Sequence, residues 1–397
     1  MDFRFLITIK RKVYLTIFKT VNSLCQMSID KKARERKIVE QIRKELQDSQ
    51  KKILVINTLS IGDLLVSTPV ISTFKATFPK SEIDVLIRKP ADPVVINNPH
   101  INEIFHYDEK NLTETIRDLR KKEYFLIIDL ENSFLGMKRA LTALRIESRY
   151  RIGFRNRFFE GLCNHLDMAW EMNTVSEVIN YHNILKSLIP GIKAPEKLDI
   201  FFSEKDKNAI ERIIKAQGIK KNHRIIIIHP TSQNKTREWS KERFAELINE
   251  LKKDKDNIII LTGSNAENEK EYSLQIEKRV KDNSRMINLV GRISITEWFA
   301  LIKRADLLIS VDTSAVHIAS ATDTPTLALL GPTNQSVWEP YNKKNQRIIS
   351  AGNCLSCEKD FKPPWCKYGD YRCMRAIETR QVIGNANKIL RIKTKKG

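Results

Sequence analysis

Residues 310–333 read SVDTSAVHIASATDTPTLALLGPT, and this stretch decides the fold. The apolar run from Asp306 to Val311 predicts a strand that ends in Asp312-Thr313-Ser314. A short helix carrying His317 follows, and a second apolar strand stops at Gly331-Pro332-Thr333. Strands that are apolar throughout and joined through a helix predict parallel, doubly covered neighbours in one sheet. Each strand then delivers polar, small or turn-forming residues at its carboxyl end, where open α/β sheets place ligands. Asp312 can accept hydrogen bonds from a hydroxyl-rich ligand, while Thr313, Ser314 and the free N–H groups of the helix start suit a phosphate-like anion. The competing reading makes Asp312 or Thr313 a simple helix cap. This stretch alone does not choose between them.

The same pattern runs through the rest of the chain. Ahead of a linker region at Ile189–Leu198, broken by Pro190-Gly191 and Pro195, strands are expected at 53–57, 83–87, 103–107 and 124–130, with helices at 63–78, 112–122 and 134–144. Beyond it come a helix at 203–217, a strand of four isoleucines running into His229, and helices at 240–253, 266–281 and 295–304 that alternate with strands at 257–262 and 286–290. A chain of 397 residues is too long for one ordinary α/β core. We therefore expect two Rossmann-like domains in tandem, residues 51–195 and 196–374, with parallel sheets facing a central cleft. Residues 1–50 form a basic amphipathic extension whose part from Asp30 to Lys52 reads as exposed. Residues 375–397 carry a last helix that could pack back on the first domain.

Charge narrows the partners. The net charge is +21, from 69 Lys and Arg against 48 Asp and Glu, and the first 52 residues hold 14 basic against 6 acidic side chains. Such an excess favours nucleic acid, anionic lipid or phosphorylated substrates. No RRM, KH or zinc-finger pattern supports nucleic acid, and the basic residues lack interleaved aromatics. No apolar run approaches the ~20 residues that span a bilayer. The first 25 residues mix aromatics and aliphatics with Arg4, Lys10, Arg11, Lys12 and Lys19 and show no cleavage site. They read either as an interfacial helix on an anionic membrane or as a helix packed on the protein itself. Both readings leave the chain in the cytoplasm.

Three further loops follow strands. After the first strand, INTLSIGDLLVSTP (56–69) lets Gly62 make a sharp turn and puts Asp63 at a helix start. Asp63 is then either a cap or a carboxylate that takes a proton from a substrate hydroxyl. The glycine-rich dinucleotide fingerprint is absent. HPTSQNKTREWSKERF (229–244) places Lys235 and Arg237 where a cation neutralises a phosphate, with Trp239 as a packing anchor. In LTGSNAENEKE (261–271), Gly263 and Ser264 turn the chain, and Glu267 and Glu269 open a helix. A glutamate there either bonds ribose hydroxyls or complements the helix dipole.

Taken together, GDLLVSTPVISTFKATFP, HPTS…REWSKERFAEL, LTGSNAENE, SVDTSAVHIASA and LLGPT…WEPY resemble glycosyltransferase family nine, the ADP-heptose:lipopolysaccharide heptosyltransferases, over roughly Ile53 to Ile377. The resemblance implies the GT-B fold and an inverting transfer of heptose from an ADP-sugar to a phosphorylated, lipid-linked glycan acceptor at the cytoplasmic face of the inner membrane. It puts the catalytic base on Asp63 and the phosphate-binding cation on Arg237, within Arg-Glu-Trp rather than the commoner Lys-x-Trp. It assigns the ribose contact to Glu267. The family's Asp-Thr-Gly-x-x-His falls on Asp312, Thr313, Ser314, Ala315, Val316 and His317. Ser314 replaces the glycine and adds a side chain close to the expected diphosphate. No catalytic metal is implied. A nucleotide-sugar 2-epimerase would also pair two Rossmann domains, but the GDLLVSTP and SVDTSAVH strings fit the transferase better.

Of six cysteines, four form Cys354-x2-Cys357-x8-Cys366-x6-Cys373 in a loop with Pro363, Pro364 and Gly369. In a reducing cytoplasm this spacing suits a metal better than disulfides, with zinc ahead of an iron–sulfur cluster and free thiols as the alternative. Such a metal would staple a loop that has little core of its own.

Overall fold

The computed structural model describes residues 31–131, 145–154, 166–168, 171, 174–341, 346–350, 366 and 368–394. The amphipathic segment before residue 31, the expected helix at 134–144, Cys354 and Cys357 lie outside them. The chain divides into two compact units that change over between Pro195 and Glu196, apart from segments 93–97 and 173–177, which group with the second.

The first unit is built on a six-stranded sheet: β1 (Lys52–Asn57), β2 (Glu82–Ile87), β3 (Glu103–His106), β4 (Tyr124–Asp129), β5 (Ser148–Phe154) and β6 (Leu166–Met168). Their order is β3-β2-β1-β4-β5-β6, with every pairing parallel. This is the Rossmann order, and its topological switch point lies between the carboxyl ends of β1 and β4. The helix Ile61–Thr77 after β1 contains Pro69. Proline has no N–H for the Leu65 carbonyl one turn back, and the Thr68 hydroxyl donates to that oxygen instead at 2.7 Å. The helix therefore continues through its proline.

The second sheet comprises β7 (Arg224–His229), β8 (Asn257–Leu261), β9 (Met286–Asn288), β10 (Leu307–Val311), β11 (Thr326–Leu330) and β12 (Gln346–Ser350). It is also parallel throughout, in the order β12-β11-β10-β7-β8-β9. Ile225 to Ile228 of β7 are fully buried, each contributing roughly 1.5–3 kcal/mol of hydrophobic stabilisation. The switch point here lies between β7 and β10, whose register pairs His229 with Ser310.

Two expectations need correction. The helix Lys31–Asp48 is no free leader: Ile42 and Leu46 are buried, and Glu45 pairs with Arg149 at 2.7 Å. The last helix, Thr379–Thr394, packs on the second domain. Its apolar side, Val382, Ala386 and Leu390, completes the core of that domain, which also holds Ile226, Trp239 and Phe244. Trp239 fixes this arrangement by donating its indole N–H to the Ile377 carbonyl at 3.0 Å.

Candidate active site

At the end of β1, Ser60 caps the helix Ile61–Thr77 and Asp63 is its third residue. The two form a capping box: the Asp63 backbone N–H donates to Ser60 Oγ at 3.5 Å and the Ser60 backbone N–H to Asp63 Oδ2 at 3.3 Å, while the Ser60 hydroxyl also donates to Oδ2 at 2.6 Å. Asp63 is half-buried, and its Oδ1 takes neither bond. The cap reading does not exclude the base reading, since both Ser60 bonds fall on one carboxylate oxygen. Gly62 does not make the turn. It lies inside the first helical turn, and a Cβ there would meet Ser60 Oγ at an ordinary 3.8 Å.

Two acidic residues at the neighbouring strand end escape the sequence reading. Asp129 closes β4 opposite Ile56, and Glu131 accepts a hydrogen bond from the Thr58 backbone N–H in the loop after β1. Burial, reinforced by Glu131, raises the Asp129 pKa to about 7, against the pull of Arg151 and the Glu131 backbone N–H. The rule that picks out Asp63, polar residues directly after an apolar strand, applies equally to Asp129-Leu130-Glu131.

In the second domain the switch point gathers several of the expected residues. Asp312 is buried after β10 and forms an ion pair with Arg237 at 3.2 Å between Nη1 and Oδ2. The Thr333 hydroxyl, beyond β11, donates to the same carboxylate oxygen. Capping belongs to Thr313, whose Oγ1 accepts from the Ala315 N–H at 3.2 Å at the start of the helix Ser314–Ala321. Asp312 is therefore not the cap. Ser314 is half-buried, Ala315 is fully buried, and His317 is buried with its ring 6.0 Å from that of Trp338. Lys235 is exposed, so of the two loop cations Arg237 is the one joined to Asp312.

The loop after β8 separates the two candidate glutamates. Glu267 is exposed and pairs with Lys270 at 2.9 Å. Glu269 turns inward and accepts from the Thr231 hydroxyl (2.8 Å), the Ser264 N–H (2.8 Å) and the Ser264 hydroxyl (2.7 Å). Burial pushes its pKa up, but these hydrogen bonds outweigh it and leave the carboxyl below its usual range. Nearby His229 is buried, lies 3.1 Å from the Thr262 hydroxyl through Nδ1, and stacks on Trp298 at 4.9 Å. Burial lowers its pKa to about 4, against the opposing pull of Glu269, so the ring is neutral at pH 7.

Chemically, the second-domain site offers a guanidinium, hydroxyls and a helix start at one switch point, which suits a ligand carrying phosphate. The first-domain site offers a carboxylate in a half-open position, which suits proton abstraction from a hydroxyl.

Comparison with known proteins agrees with this architecture. The profile of glycosyltransferase family 9 (heptosyltransferase) matches residues 112–365. Lipopolysaccharide heptosyltransferase 3 of Escherichia coli K12 is 25% identical over 298 residues, covering 71% of this chain and 83% of that protein. A glycosyl transferase family 9 structure from Veillonella parvula superposes with a TM-score of 0.73 at 20% identity, covering 87% of this chain and 98% of the other. The ADP-heptose lipopolysaccharide heptosyltransferase II of E. coli gives 0.68 at 21% identity, covering 86% and 99%. With its two Rossmann-like domains in the GT-B fold, this chain belongs to glycosyltransferase family 9, the heptosyltransferase family, and is a glycosyltransferase.

Proposed function

We propose that the protein transfers a heptose from ADP-heptose, with inversion, to a lipopolysaccharide inner-core acceptor, and that Asp63 is the general base. The observation that carries this reading is the Arg237–Asp312–Thr333 cluster beside the helix start at Ser314. It supplies a cation and backbone donors for a diphosphate within a family of heptosyltransferases. In the reaction the acceptor hydroxyl gives its proton to Asp63 and attacks the anomeric carbon opposite the nucleotide. The bond to the diphosphate breaks, and ADP leaves with the electron pair. Arg237, Thr313 and the N–H groups after Asp312 stabilise the charge that grows on the leaving group. Glu267 contacts the ribose, and Asp312, Ala315 and His317 shape the donor pocket. Ser314, in place of the family's glycine, is where sugar or nucleotide preference is expected to differ.

Among the described residues no helix is long and apolar enough to cross a membrane. The basic extension is proposed to rest on the anionic cytoplasmic surface where a lipid-linked acceptor is found. A panel of nucleotide sugars tested by thermal shift checks the donor assignment. ADP-heptose at about 100-fold over its Kd adds ~2.7 kcal/mol of stability. Stabilisation by UDP- or GDP-sugars and not by ADP-heptose overturns it.

The cysteine loop is proposed to hold a structural zinc through Cys354, Cys357, Cys366 and Cys373. Of the four, Cys366 and Cys373 lie among the described residues, Cys373 within the apolar core of the second domain. Burial alone would raise the Cys366 thiol, but hydrogen bonds from the backbone at Tyr368, Tyr371, Asp370 and Gly369 outweigh it and favour the thiolate. Cys373 is buried in a short helix against the strand-end loop at Gly331, where a Cβ would come within 3.4 Å of its sulfur. Protein purified without chelator is expected to carry stoichiometric zinc by elemental analysis. Its absence removes the site.

A further inference from the structure

The geometry points to Glu269 as the positioning residue that fixes the donor-binding loops of the second domain, an inference that rests on the donor-site reading above. Its carboxylate does not face solvent like that of Glu267. It joins two loops that follow adjacent strands: Thr231 belongs to the loop after β7, and Ser264 to the loop after β8. The loop after β7 continues through Lys235 to Arg237, the cation paired with Asp312. Three donors converge on two oxygens, so the carboxylate sets the spacing of both loops at once.

Two glycines show how closely the loops are built around this carboxylate. A Cβ on Gly263 would lie 2.9 Å from Glu269 Oε2 and 3.2 Å from a methyl of Val290, so the loop passes close against the glutamate and a side chain at position 263 would crowd its carboxylate. Gly291, at φ +67°, accepts a left-handed backbone that other residues resist, and its N–H donates to the Gly263 carbonyl at 3.1 Å. A Cβ there would strike Asn265. The loops after β7, β8 and β9 are thereby tied in series, with Glu269 as the link between the first two. A side chain of this kind affects ligand affinity through geometry, by holding the binding groups preorganised where the ligand meets them.

Isosteric replacement separates geometry from charge. In Glu269→Gln the amide oxygen can still accept from Thr231 and the Ser264 N–H, while the amide nitrogen donates to the Ser264 hydroxyl. Glu269→Ala removes all three bonds. The readout is the ADP dissociation constant by calorimetry, well below the melting temperature. Glu269→Ala is expected to weaken ADP about tenfold or more and Glu269→Gln by less than about threefold. Thr231→Val, which loses one donor without changing shape, is expected to fall between them and decides the matter if the alanine variant does not fold. Wild-type affinity in folded Glu269→Ala, or in Thr231→Val if that variant is the one that decides, overturns the inference; so does a loss in Glu269→Gln equal to that in Glu269→Ala. Arg237→Ala is measured alongside. If it weakens ADP binding and Glu269→Ala does not, only the positioning role fails. If neither changes ADP affinity, the donor-site reading itself fails.

Discussion

Asp63→Asn is expected to lower kcat by about 10²–10⁴-fold, the usual contribution of a general base, while the affinity for ADP stays at the wild-type value. The asparagine is chosen over alanine because Asp63 also holds the start of its helix. Its Oδ2 accepts both the hydroxyl and the backbone N–H of Ser60. An asparagine carbonyl can accept both bonds, so the cap survives while the basic oxygen is lost. Asp63→Ala removes both functions and is expected to cost about 1 kcal/mol of stability in addition to the turnover. Steady-state kinetics with donor and acceptor, paired with calorimetric titration of ADP, distinguishes the two variants. Near-normal turnover in Asp63→Asn would take the base role away from this residue.

Much of this arrangement is legible in the sequence. Strands of unbroken aliphatic residues, such as Ile225 to Ile228, leave a doubly covered parallel sheet as the stable solution, and their alternation with helical stretches orders most of each domain. β5 is not legible, because Ser148-Arg-Tyr-Arg-Ile-Gly-Phe mixes two arginines into a buried strand. The structure accommodates them separately. Arg149 stays exposed over the Tyr150 and Phe125 rings, and Arg151 is buried and donates to the Ile146 carbonyl at 2.8 Å. The docking of the last helix is hidden for a different reason: its apolar stripe says that it packs, but not on what. At the site, a strand-end rule locates Asp63, Arg237 and Asp312. It cannot tell Glu267 from Glu269, because both lie in one helical turn and only the direction of the side chain separates solvent from loop.

Arg237→Ala is the variant for which two effects act in the same direction. The first is loss of the guanidinium as a partner for diphosphate. The second concerns Asp312, whose side chain is only 5% exposed and whose Oδ2 accepts the Arg237 contact at 3.2 Å. Without the arginine, a buried carboxylate remains with the Thr333 hydroxyl but without this cation, beside the proposed diphosphate site. Removing one partner leaves the buried carboxylate without its cation, and here that charge also repels the ligand. ADP affinity is therefore expected to fall by about 100-fold or more, or at least ~2.7 kcal/mol. Arg237→Lys keeps the charge but not the planar fork and is expected to lose less, about tenfold. The diagnostic variant is Arg237→Ala with Asp312→Asn, which removes the stranded charge and is expected to recover about tenfold of the affinity lost by the single substitution. Recovery separates the role of Arg237 as a neutraliser of Asp312 from its role as a phosphate ligand, because only the first can be restored without a cation. Unchanged ADP affinity in the single variant would show that the diphosphate is held elsewhere, and the Arg237–Asp312 pair would then serve only to join the loops that follow β7 and β10.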